Sequence, residues 1–249
     1  MKALITGASS GIGRDIARIL SSRGYDLILV ARRKDKLERL KNELKTEVTI
    51  ISMDVSSTFN CTKLYNKVKK EDIDILVNNA GFGLFGEFVS TDLERELDML
   101  DVNIKAVHTL TKLFLNDFIK KDKGYILNVA SSAAFLPGPL MSTYYSTKAY
   151  VLRLTSSIAE ELRRKNSNVY IGALCPGPVN TEFNNVAGVK FAIKSLESYD
   201  VAEYAIKKMF KRKKIIIPGI SVKIGTFLTR FIPYELQSRI SYNIQKKKS

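Results

Sequence analysis

The chain has 249 residues, is 45% hydrophobic and carries a formal net charge of +15. That apolar content supports a sizeable core and excludes a disordered chain, while Cys61 and Cys175 lie too far apart to form a disulfide framework or a metal cluster. Much of the basic excess is local, in KKMFKRKK at 207–214 and in Lys246–Lys248; without a zinc pattern or an RNA-recognition signature it reads as solvated surface, which argues against a nucleic-acid partner.

The first apolar run, Ala3–Thr6, starts too early to leave room for a signal peptide, so the expected compartment is the cytoplasm. Further strand-like runs follow at Asp26–Val30, Val48–Met53, Ile73–Val77, Tyr125–Val129, Val169–Leu174 and Ile215–Ile217. Most lack polar alternation, as strands covered on both faces do. Helical patterns at Gly13–Arg23, Lys34–Lys45, Thr91–Ile119 and Tyr145–Arg164 lie between them. Strand–helix alternation with right-handed crossovers builds a parallel sheet with helices on both faces. The expectation is one α/β domain over 1–249, a Rossmann-like doubly wound sheet of about seven strands in order 3-2-1-4-5-6-7.

After the first strand comes TGASSGIG, with glycines at Gly7, Gly11 and Gly13 where the chain turns and a helix begins. Such a loop lets phosphate approach backbone N–H groups at the positive end of the helix. The spacing T-G-x-x-x-G-x-G resembles the cofactor loop of the short-chain dehydrogenase/reductase family. The likeness continues in order over about residues 3–182: Asp54-Val55, NNAG ending at Gly81, Asn103 in DVN, Ser131, Tyr144 to Lys148 as YYSTK, and PGPVNT at Pro176–Thr181. The resemblance implies that Gly7, Ser9, Ser10, Gly11, Ile12 and Gly13 hold a nicotinamide cofactor's phosphates. It also implies adenine contacts from Asp54 and Val55, further cofactor contacts from Asn79, Ala80 and Gly81, and nicotinamide contacts from Pro176, Gly177, Val179 and Thr181.

An NAD enzyme of this architecture usually ends its second strand with an acid that accepts from the ribose hydroxyls. Here that position is Ala31, followed by Arg32 and Arg33. A guanidinium can grip a 2′-phosphate that a carboxylate would repel, so the expected cofactor is NADP(H).

A phenol donates a proton at neutral pH only when its pKa of about 10 is lowered. A Lys four residues later on a helix shares its face and can lower it. Y-x-x-x-K occurs at Tyr65–Lys69, Tyr144–Lys148, Tyr204–Lys208 and Tyr242–Lys246. The resemblance asks for a Ser thirteen residues before the Tyr, which selects Ser131 with Tyr144 but also Ser52 with Tyr65. Topology decides: Ser52 falls in the edge strand on the adenine side, whereas Ser131 follows the fifth strand, across the switch point. Tyr144 is therefore the expected acid/base, Lys148 its activator and Ser131 the group that polarises the substrate oxygen; the resemblance implies that Lys148 also contacts the nicotinamide ribose. The resemblance gives Asn103 a water that links Lys148 to solvent. Tyr145, Ser132 and the only histidine, His108, read as structural.

Residues 183–197, with Phe183 and small aliphatic side chains, read as a substrate lid over an apolar small molecule, a plain surface loop being the alternative. Residues 220–249 form an amphipathic C-terminal segment in which Ile224, Phe227, Leu228, Phe231 and Ile232 make one helical stripe. Packing against the core, the cleft or another subunit is the first reading of it, and a basic peripheral membrane contact the second. The function expected is that of a carbonyl reductase working as a homodimer or homotetramer. A non-catalytic NADP sensor, a nucleic-acid binder and nucleotide-sugar isomerase chemistry stay as alternatives.

Overall fold

A computed structural model describes residues 1–188 and 195–246, apart from the Asn185 side chain. Residues 189–194 of the expected lid lie outside the described residues. The chain begins with β1 (Lys2–Thr6), α1 (Gly11–Ser22), β2 (Asp26–Ala31), α2 (Lys34–Glu43), β3 (Val48–Ser52), α3 (Thr58–Val68) and β4 (Ile73–Asn78). Next come α4 (Leu93–Leu100), a π turn (Asp101–Ala106), α5 (Val107–Lys121), β5 (Tyr125–Val129), a 3-10 turn (Ser132–Phe135), α6 (Ser142–Arg164) and β6 (Tyr170–Leu174). The C-terminal part holds β7 (Val179–Asn180), α7 (Phe183–Ala187), β8 (Leu196–Glu197), α8 (Ser198–Phe210), β9 (Ile215–Ile216), α9 (Ile220–Leu228), a 3-10 turn (Thr229–Phe231) and α10 (Tyr234–Lys246).

The main sheet runs β3-β2-β1-β4-β5-β6-β9, all neighbours parallel. This is the order expected from the sequence, its seventh strand being the Ile215 run; β7 and β8 pair separately. Successive residues of a strand face opposite ways. Ala3 and Ile5 of β1 therefore enter one apolar cluster with Ile16, Leu20 and Ile206, while Leu4 enters another with Leu64 and Phe114. Both faces are covered, which is why the strands read as continuous apolar runs.

Two polar devices fix the packing. Asn78 and Asn128 stand opposite each other in β4 and β5, and Asn78 donates to Asn128 at 2.8 Å and to Thr111 at 3.0 Å. Asn128 donates in turn to Thr155 of α6 at 2.9 Å, so the buried network sets the strand register and seats both helices. On the opposite face, buried Asp15 of α1 accepts from Arg18 at 3.0 Å and from Ser198 at the start of α8.

Two helical expectations need correction. Thr91–Ile119 is not one α-helix: the π turn at Asp101–Ala106 separates α4 from α5. The wider turn carries Asn103 inward, where it bonds the backbone of Phe82, a partner no local pattern reveals. The C-terminal stripe also divides. Leu228 and Ile232 line a cleft, while Ile224, Phe227 and Phe231 are 54%, 54% and 71% exposed.

Candidate active site

The C-terminal ends of the strands open on a cleft of about 790 Å³, within the range of small-molecule sites. Its floor is the loop between β1 and α1. Thr6 Oγ1 accepts from the backbone N–H groups of Asn79 and Ala80 at 3.0 and 3.1 Å, and Asn79 Nδ2 donates to the carbonyls of Thr6 and Gly7. The NNAG segment thus holds the loop from behind. Gly11 sits at φ 52°, and a Cβ there would come within 2.9 Å of Thr181 Cγ2. Only glycine combines that conformation with so close an approach. Ser10 is the N-cap of α1 but its side chain makes no capping bond to the helix, and the first turn of α1 carries no acid. The helix therefore turns free N–H donors and its positive end towards the cleft, a setting that suits a pyrophosphate.

At the adenine side the structure adds two residues to those expected. Arg33 donates to Ser9 and Ser10 hydroxyls at 3.0 and 3.1 Å and to Glu182 at 2.7 Å. Lys36 donates to the other oxygen of the same carboxylate at 2.5 Å. These cations hold the Glu182 carboxyl down at about 2, the Lys36 bond being the larger influence. Arg32 extends into solvent with its side chain 75% exposed, 3.8 Å from Asp54. Neither Lys36 nor Glu182 was singled out from the sequence. Lys36 has a local signal, three residues beyond Arg33 at the start of α2, but Glu182 has none because it meets Arg33 across 149 residues.

At the other end Ser131, Tyr144 and Lys148 line one wall. Ser131 follows β5, and its oxygen accepts from Ala133 N–H at 3.1 Å. Lys148 is 5% exposed and donates to the Val129 carbonyl at 3.0 Å. Its ammonium lies 5.8 Å from the centre of the Tyr144 ring. Burial pushes Lys148 down to about 8. The Tyr144 phenol is not lowered as expected: burial raises it, and the hydrogen bond that partly offsets the rise comes from Ser131, not from Lys148. Asn103 is fully buried; its amide donates to the Phe82 carbonyl at 2.9 Å and to Thr147 Oγ1 at 3.0 Å. A Cβ on Gly81 would meet Asn103 Oδ1 at 2.8 Å and Lys148 Nζ at 3.3 Å, so both side chains converge on that glycine.

The other Tyr–Lys pairs lie away from this cleft. Tyr65 donates to Asp117 at 2.7 Å, a bond that raises its phenol to about 12. Ser52 of edge strand β3 donates to the Arg32 carbonyl. Lys208 lies over the Tyr204 ring, and Tyr242 and Lys246 share α10. His108 pairs with Tyr150 on the surface at 2.7 Å.

The substrate end is apolar. Phe183 packs its ring 5.3 Å from that of Tyr144. Tyr145 stacks edge-on against Tyr144 and receives a bond from Gln245 of α10, which ties the C-terminal helix to α6. Val222, Leu228, Ile232, Ile240 and Ile244 complete the mouth.

Residues 1–190 match the short chain dehydrogenase family. An uncharacterized oxidoreductase of Staphylococcus epidermidis is 31% identical over 89% of this chain and 96% of its own length. The very-long-chain 3-oxoacyl-CoA reductase of Rattus norvegicus is 27% identical over 94% of this chain and 77% of its own. A solved short-chain dehydrogenase from Sphingobium yanoikuyae in complex with NADPH shares 30% identity and a TM-score of 0.83 over 91% of each chain. A short chain dehydrogenase/reductase from Burkholderia phymatum in complex with NAD shares 25% identity and a TM-score of 0.85 over 95% of each.

Proposed function

The chain belongs to the short chain dehydrogenase family, and from that premise we propose that it is an NADP(H)-dependent oxidoreductase interconverting a carbonyl and an alcohol on an apolar small molecule. The observation that carries the reading is the polarity of one cleft. It runs from Arg33 and Lys36, past the glycine floor, to a wall of Ser131, Tyr144 and Lys148. When bound, the cofactor supplies or accepts the hydride.

The chain's own residues do the rest. The N–H groups of the Gly7–Gly13 loop hold the pyrophosphate, Asp54 and Val55 border the adenine, and Asn79, Ala80 and Gly81 form the cofactor's back wall. Pro176, Gly177, Val179 and Thr181 close over the nicotinamide end. Arg33, exchanging Glu182 for it, and Lys36 would be the cations that hold a 2′-phosphate. Arg32 adds a second guanidinium from solvent.

In reduction, Tyr144 Oη gives its proton to the substrate oxygen as hydride reaches the carbon; in oxidation it takes the proton back. Lys148 remains largely a cation at neutral pH even at a pKa of about 8. Its charge stabilises the phenolate that Tyr144 becomes. Ser131 Oγ donates to the same substrate oxygen and stabilises its developing charge. Asn103 holds the Phe82 backbone and the Thr147 hydroxyl, which keeps the start of α6 and thus Tyr144 in place. Phe183 over Tyr144 and the aliphatic mouth keep water from the transfer. The rat relative is a very-long-chain 3-oxoacyl-CoA reductase, in keeping with an apolar cleft.

The test is an NADPH-oxidation screen across aldehydes, ketones, steroids and acyl thioesters, with Tyr144→Phe as control. Loss of the general acid should lower turnover at least roughly 10²-fold while the variant still quenches NADPH fluorescence normally. Appreciable activity in Tyr144→Phe would rule the mechanism out.

A further inference from the structure

The C-terminal helices bury the wrong residues for an ordinary surface segment. Their buried positions are polar: Thr226 in α9, and Ser241 and Gln245 in α10. None of their side chains belongs to a buried apolar cluster of the described residues. Six large apolar residues are exposed instead. Ile220 is 80% exposed, Phe231 and Tyr234 71% each, Ile224 and Phe227 54% each, and Leu236 47%. None of these six lines the cleft. Ile220, Ile224, Phe227 and Phe231 recur at helical intervals of four and three, so they make one continuous ridge, and the Phe227 and Phe231 rings touch at 5.4 Å between centres.

The charges around the ridge have one dominant sign. Lys223, Arg230 and Arg239 are exposed, and Lys246–Lys248 follow in the sequence, against Glu235 as the single acid of residues 220–249. Arg230 lies over the Phe227 ring at 5.7 Å, so a cation stands directly beside the apolar crest. No described helix is long and apolar enough to cross a membrane. A short ridge of aromatic and branched aliphatic side chains with basic flanks is the form that sinks to the depth of the headgroups and stays there.

We propose that α9, the 3-10 turn and α10 form a docking element for an anionic lipid bilayer, with Ile220, Ile224, Phe227 and Phe231 inserted and Lys223 and Arg230 on the headgroups. The sign of the charge decides between a bilayer and a second copy of the chain. A two-fold pairing of this face would confront Lys223, Arg230 and Arg239 with their own kind, and Glu235 is the one acid available to answer them. An anionic bilayer answers every one of them. Neighbouring positions of the same segment, Leu228, Ile232, Ile240 and Ile244, line the cleft mouth. An apolar compound dissolved in the bilayer would reach the cleft without crossing water; this last clause rests on the proposed reduction, whereas the docking does not.

Cosedimentation of the full chain with phosphatidylcholine vesicles, with and without phosphatidylglycerol, tests the docking without reference to activity. Anionic vesicles should bind it at least roughly tenfold better than neutral ones, and high salt should erase most of that difference. Phe227→Asp with Phe231→Asp should lower the partition by roughly tenfold or more, and circular dichroism should show an unchanged melt because both rings are exposed. Lys223→Glu with Arg230→Glu should weaken binding to anionic vesicles alone. Equal sedimentation of wild type and the Phe227→Asp/Phe231→Asp variant, or none with either vesicle, overturns the proposal. So does a dimer in analytical ultracentrifugation that the same variant dissolves, an outcome that would assign the ridge to a second copy.

Discussion

Replacing Glu182 by Gln removes the carboxylate that Arg33 and Lys36 share at 2.7 and 2.5 Å while keeping the side chain's shape. In the proposed site, that carboxylate and a 2′-phosphate compete for the same two cations. The Glu182 side chain is 44% exposed, so solvent screening keeps each ion pair within about 0.2–1 kcal/mol. Two pairs lost before phosphate can bind amount to about 0.5–2 kcal/mol, and 1.4 kcal/mol is roughly tenfold in affinity. Glu182→Gln should therefore tighten NADPH roughly two- to thirtyfold and leave NADH nearly unchanged, as read by fluorescence titration at low salt. Adding Arg33→Ala should remove most of the gain. Equal weakening of both cofactors would refute the reasoning, because it would make Glu182 a clasp over the pyrophosphate that both share. The acid side of stability gives an independent check. The folded carboxyl sits at about 2 against an ordinary 4.5, so its contribution is complete above pH 4.5 and disappears as the pH falls towards 2. Glu182→Gln should flatten that part of the acid-unfolding curve.

Lys148→Met should raise the melting temperature of the protein without cofactor by several degrees at pH 7 while abolishing turnover. Lys148 sits at about 8 when folded against an ordinary 10.5, so its buried charge destabilises fully below pH 8 and the penalty fades between pH 8 and 10.5. The gap between variant and wild type should close over that window, and a lower melting point at pH 7 would contradict the burial argument. Gly13→Ala places a methyl group against Asn79 Nδ2 and the Gly7 carbonyl. It should cost roughly 1–3 kcal/mol by denaturant unfolding and weaken NADPH and NADH together; a neutral result would show that the loop can yield there.

How much could be read in advance depended on the range of each interaction. The helix over Thr91–Ile119 was legible as helix, but its break at Asp101–Ala106 was not, because Asn103 answers to Phe82 twenty-one residues away. The Tyr–Lys spacing was legible four times over, and only the position of Ser131 beyond β5 made one pair chemically distinct. Glu182 was invisible, since an acid beside Thr181 is unremarkable until α2 brings Arg33 and Lys36 to it.

The amino-acid sequence by itself carried the strand–helix alternation and the glycine loop, which rest on local periodicity and on crossovers of fixed handedness. The choice of Ser131, Tyr144 and Lys148 among four Tyr–Lys pairs came through the family resemblance. Tertiary structure alone decided which way the C-terminal stripe would face. Periodicity shows that an amphipathic helix has an apolar side, but not whether that side finds a partner within the chain. Here the sheet was already covered by α1, α2 and α8 on one face and by α3, α5 and α6 on the other. The last helices were left with a cleft on one flank and, for Phe227 and Phe231, a largely exposed flank on the other.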